Sequence, residues 1–124
     1  MLDNNTRVNE PASSNEAVDQ TRSDLSPDTA FHLVANARRR YVLYYFTARS
    51  TAVATVETLT GYVTTHTDTA DRKHVEIDLV HQHLPMLADN GIVEYDTRSE
   101  QVRYYGASLV EKLLELVAED DLEP

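Results

Sequence analysis

The residues of this chain best equipped for chemistry are its histidines and its arginines. His74, Asp78 and His81 fall at i, i+4 and i+7, which would put three zinc-type ligands on one helix face. His81 and His83 look like a chelating pair on paper, but on a helix they stand about 200° apart and cannot grip one ion. The chain has no cysteine, which excludes a thiolate zinc site, a disulfide framework and cysteine catalysis together. A polar outer face is therefore preferred over a metal centre, and no metal or cofactor is expected. His32 reads as a surface or boundary residue. Gly61, Gly91 and Gly106 are too far apart for a phosphate-cradling loop. No Ser–His–Asp order can be recognised either, so no enzymatic activity is expected.

Charge is distributed unevenly. The formal net charge is −10, from 21 acidic and 11 basic residues. The only lysines are Lys73 and Lys112. Such acid-rich, lysine-poor compositions suit proteins dissolved in molar salt. The one net-positive block, residues 26–60, sets Arg38, Arg39, Arg40 and Arg49 against Asp28 and Glu57. At ~1 M salt the Debye length is about 3 Å. Distant carboxylates would then hardly repel an anion, and local contacts would decide binding.

The elements that must hold these groups can be read from caps and periodicity. With 124 residues, of which 41% are hydrophobic, the chain suits one domain with a modest core. Residues 1–25 are polar and read as a disordered tail. They lack an apolar signal-peptide core, and no apolar run approaches the ~20 residues that cross a bilayer. A cytoplasmic location without membrane contact is expected. Ser26-Pro27-Asp28 starts a first helix, with Asn36 as its stop. A second helix covers about 37–47. Ala52-Val53-Ala54 is a short strand, and Thr55 caps a third helix over 56–65.

The longest helix should cover 70–90 and stop at Gly91. It carries two apolar stripes, one of Ile77, Val80, Leu84, Leu87 and Ala88, the other of Val75, Leu79 and Met86. Pro85 should bend it. Residues 92–95 and 101–105 flank a turn and form a hairpin. Ser108 and Glu111 make a capping box for a last helix over about 108–119. Its stripe of Leu109, Leu113, Leu116 and Val117 is wide for a helix this short, and either its own domain or a second copy of the chain would cover it.

Helix, helix, short strand, helix, long helix and hairpin, in that order, is the wiring of a winged helix. The expected class is thus mostly α with a small β-hairpin. A winged helix-turn-helix domain would span 26–106, and an added helix over 107–121 is a candidate dimerisation element. The stretch Phe31-His32-Leu33-Val34-Ala35-Asn36-Ala37-Arg38-Arg39-Arg40-Tyr41-Val42-Leu43-Tyr44-Tyr45-Phe46 resembles the opening of ArsR-type repressors. His83-Leu84-Pro85-Met86-Leu87-Ala88-Asp89-Asn90-Gly91-Ile92-Val93-Glu94-Tyr95 resembles the end of their recognition helix running into the wing. Over residues 26–105 the chain resembles an uncharacterised winged-helix domain family abundant in haloarchaea.

That resemblance implies a double-stranded DNA partner and a regulator of transcription. It implies a recognition helix within 70–90, whose candidate readers are Lys73, His74, His81 and Gln82. Arg98 and Arg103 would be wing contacts to the backbone, and Arg38, Arg39 and Arg40 would touch phosphate. A homodimer held by Leu109, Leu113, Leu116 and Val117 is expected. Glu76 and Asp78 lie in the same recognition region and oppose phosphate. Together with the stripe of Val75, Leu79 and Met86, they motivate a second reading, a winged-helix module that binds a protein partner and not DNA.

Overall fold

The structure, a computed structural model, describes residues 25–68 and 71–122. Apart from Leu25, the polar tail expected over 1–25 lies outside the described residues. Helices dominate, and three short strands form one antiparallel sheet.

Local chemistry sets most boundaries. Helix α1 (Pro27–Val34) starts where the Ser26 hydroxyl accepts the Thr29 N–H at 3.1 Å. Asn36 does more than end α1. Its side-chain oxygen accepts the N–H groups of Arg38 and Arg39, which makes it the N-cap of α2 (Ala37–Arg49). Ser50 then takes a left-handed conformation (φ 54°) and turns the chain into β1 (Val53–Thr55). Thr55 caps α3 (Val56–His66) through the Thr58 N–H, as its position suggests. Asp71 caps α4 (Arg72–Asp78) through the His74 N–H.

The run expected as one helix over 70–90 is three segments in direct succession. After α4 comes a π-helical turn (Leu79–His83), then α5 (Leu84–Asp89). The Leu84 N–H donates to the Leu79 carbonyl, five residues back. Pro85, in the first turn of α5, supplies the cause. It has no N–H, and in a regular α-helix its ring would crowd the carbonyl four residues earlier. A wider turn ahead of it relieves the crowding.

The π turn also resolves the two apolar stripes. One extra residue in the turn shifts the helical phase by about 100°. Val75 before it, Leu79 at its start, and Leu84 and Leu87 after it are then all fully buried in the same core. Ile77 is left outside, 48% exposed. Gly91 follows with φ 75°, the left-handed position expected for it.

Strands β2 (Val93–Asp96) and β3 (Gln101–Tyr104) form the hairpin, and β1 adds to the free edge of β3, so the order is β1-β3-β2. Ala54 and Tyr95 flank the fully buried Val102 on either side. Helix α6 (Ser108–Leu122) packs on α1 and sends Val110 and Leu114 into the shared core. The carboxylate of Glu111 is not engaged as the expected capping box would have it; it accepts the Tyr104 hydroxyl at 2.5 Å. No helix among the described residues is long and apolar enough to cross a membrane.

Candidate nucleic-acid interface

The arginine run at the start of α2 is directed into the protein. Arg39 is 4% exposed. Its guanidinium donates to the carbonyls of Leu33 (2.8 Å) and His32 (2.8 Å) and to Nδ1 of His83 (3.1 Å), closing the end of α1. Arg40 grips Asp121, near the end of α6, at 2.6 and 3.3 Å and also donates to the Val34 carbonyl. The Asp121 side chain takes the Tyr44 hydroxyl as well, and its carbonyl takes that of Tyr41. Arg38 pairs with Asp78 at 2.9 Å. The phosphate role expected for these three meets a plain physical obstacle, because each guanidinium already has partners inside the fold.

Asp78, His83, Arg38 and Arg39 form one network between α2 and the π turn. A guanidinium can only donate, so His83 must accept at Nδ1 and carry its proton on Nε2, which donates to Asp78 at 2.9 Å. A protonated imidazole would point a second N–H at Arg39. Burial lowers the His83 pKa further; the nearby Asp78 carboxylate opposes this without reversing it. Burial alone would raise the Asp78 carboxyl, but His83 and Arg38 outweigh it and hold it below the usual carboxylate range. Asp121 behaves the same way, with Arg40 and Tyr44 overcoming its burial.

This inward turn of Asp78 breaks the triad of His74, Asp78 and His81 that the spacing offered. Among the described residues no group of three or more His, Asp or Glu side chains is arranged to hold a metal. His81 and His83 do lie on opposite sides, the first exposed and the second 1% exposed.

The remaining predicted donors face outward. Lys73, His74, His81 and Gln82 are all exposed along α4 and the π turn. Glu76 is 3.9 Å from Lys73, a loose i,i+3 pair that contributes little. Arg98 sits at the exposed hairpin loop, where Asp96 accepts its N–H and the Ser99 hydroxyl. Arg103 lies on the exposed side of β3, opposite Glu94.

Two cations absent from the expected set border this face. Arg72, the first residue of α4, donates to the Glu57 carbonyl at 3.1 Å and lies over Gly61 of α3. A Cβ at Gly61 would stand 3.0 Å from its guanidinium, the mobile end of an exposed side chain. Arg49 lies over the rings of Tyr45 and Tyr62, at 4.4 and 5.0 Å from their centroids. Together with His66, which packs on Tyr62, they line an open cleft of about 600 Å³. For Arg72 the available sequence signal was its place directly before Lys73 and His74.

On the packed pair of α1 and α6, Leu116 of α6 is 74% exposed and Phe31 of α1 is 58% exposed. Leu109, Leu113 and Val117 are half-buried. These residues carry the apolar surface that α6 does not place in the core.

The fold is thus an α-rich domain with a small three-stranded antiparallel sheet, and Lys73 and His74 of α4 face outward. The chain belongs to the family described as Domain of unknown function (DUF7344), whose model matches residues 31–103. That span takes in the arginine run, the π turn and the hairpin, and ends before α6. No curated protein and no solved structure matches the chain.

Proposed function

We propose that the protein is a DNA-binding transcription regulator of the winged helix-turn-helix kind. In this reading α4 with the π turn is the recognition helix and the β2–β3 hairpin is the wing. One observation carries it: the donors of α4 and the π turn are exposed while Asp78, one of the two acidic residues that opposed a phosphate contact, is turned inward and paired with Arg38. Lys73, His74, His81 and Gln82 would approach the major groove, and Arg98 and Arg103 the backbone beside it. Arg49 and Arg72 join them as candidate phosphate contacts. Arg38, Arg39 and Arg40 serve by fixing the angle of α2 against α1, the π turn and α6.

A homodimer would present two such helices to a two-fold site, with Leu109, Leu113, Leu116 and Val117 of α6 covered by the second copy. The competing reading, a module that docks a protein on Val75, Leu79 and Met86, has lost most of its surface. Val75 and Leu79 belong to the core, and Met86 packs against it.

Fluorescence anisotropy against a library of fragments from the native genome, run at several potassium concentrations, tests the proposal. Selected fragments should bind more tightly than a random-sequence control, with an affinity that falls as salt rises. Equal binding of both at every salt concentration would remove the regulator reading.

A further inference from the structure

A second concave site shares no lining residue with the cleft of Arg49 and Arg72. The last turn of α2, the segment leading to β1 and α6 border an open cavity of about 630 Å³, within the size range of small-molecule sites. Its walls are aromatic and aliphatic, with Tyr44, Phe46, Tyr104 and Leu114 among them. Among the described residues its charged lining groups are Glu111 and Glu115, and no lysine, arginine or histidine lines it.

Three features give this space a negative character. One oxygen of Glu111 takes the Tyr104 hydroxyl, and the other has no protein partner among the described residues. Glu115 is exposed at the cavity edge. The C-terminal turn of α2, with Thr47 and Ala48 on the lining, brings the negative end of a 13-residue helix to the same place. An anion would meet repulsion from all three. A small inorganic cation would gain nothing from the apolar walls. A cation with an aromatic or alkyl body fits both, burying its body against the apolar walls while its charge faces the carboxylates.

We propose that this cavity binds a lipophilic organic cation, of the quaternary ammonium, phosphonium or delocalised dye class. The site does not depend on the DNA-binding reading. Tyr104 belongs to β3 and stacks on Phe46 of α2 at 5.2 Å, so an occupant would touch both the hairpin and the α2 end.

Isothermal titration of the full chain with tetraphenylphosphonium tests the proposal, with tetraphenylborate as a probe of the same shape and opposite charge. Saturable binding of the phosphonium at one site is expected, and about tenfold weaker binding of the borate. Glu111→Gln and Glu115→Gln should each weaken the phosphonium several-fold, and Ala118→Trp should block the cavity. Glu115 is exposed, so its variant keeps the test valid should Glu111→Gln unfold the chain. No saturable binding up to about 1 mM, equal binding of the two ions, or binding unchanged in Glu115→Gln and Ala118→Trp would overturn it.

Discussion

Two basic stretches of this chain have opposite fates. Arg38-Arg39-Arg40 opens α2 in the only net-positive block of the sequence, yet all three guanidiniums are bound internally. Arg72-Lys73-His74 opens α4 among acidic residues, yet Lys73 and His74 face solvent. What separates them is the supply of acceptors within reach. The start of α2 lies beside the open carbonyl end of α1, the Asp78–His83 pair and Asp121 of α6. A planar five-donor group suits such a junction better than an ammonium would. Local basicity in a sequence therefore does not say whether a cation is meant for a ligand or for the frame.

Substitutions should separate frame from face. The largest effect is expected at Arg39. Arg39→Ala would strand the His83 ring nitrogen and two carbonyls in a buried junction, at a cost of about 3 kcal/mol in urea unfolding. Arg39→Lys should recover little of it, since one ammonium cannot reach three acceptors in a fork. A loss under about 0.5 kcal/mol, the range of an ordinary surface change, would break the distinction. Arg40→Gln should cost about 2 kcal/mol by releasing Asp121 and the end of α6.

The pH dependence sharpens the same contrast. His83 is held neutral in the fold, with a pKa below its ordinary value of 6.5. Its contribution is complete above pH 6.5, where the unfolded chain is also neutral. It declines as pH falls below that value, because only the unfolded chain then gains a proton. The slope from this group is at most about 1.4 kcal/mol per pH unit. His83→Gln should flatten the stability profile between pH 6.5 and 5. Asp78 and Asp121, both held below 3.8, extend the loss at lower pH.

The smallest stability effects belong to the outward face. Lys73→Ala and Arg98→Ala should change unfolding free energy by less than about 0.5 kcal/mol. Each should nevertheless reduce DNA affinity and lower the slope of log affinity against log salt by about 1.

Local rules made much of the fold legible. Ser26 and Thr55 cap the helices they were expected to start, and Gly91 takes the left-handed position expected of it. The alternation of Val93 with Tyr95 and Val102 with Tyr104 matches the buried side of the hairpin. What escaped was set by tertiary contact. A regular wheel split Val75 and Leu79 from Leu84 and Leu87, because the phase shift of the π turn is not visible as a residue. Pro85 hinted at a bend, not at an inserted residue. The arginine run looked like a phosphate contact because its partners lie up to 81 positions away. Asn36 read as a stop and acts as a start, since a single asparagine between two helices suits either role.

The account rests on the exposed side of α4 gripping a duplex, and salt titration tests it most directly. Wild type and Lys73→Ala should be compared on one selected genomic fragment over a series of potassium concentrations. Wild type should show a steep, linear fall of log affinity with log salt, and the variant should bind less tightly with a slope shallower by about 1. Identical curves for the two proteins, or no binding by either, would contradict the account.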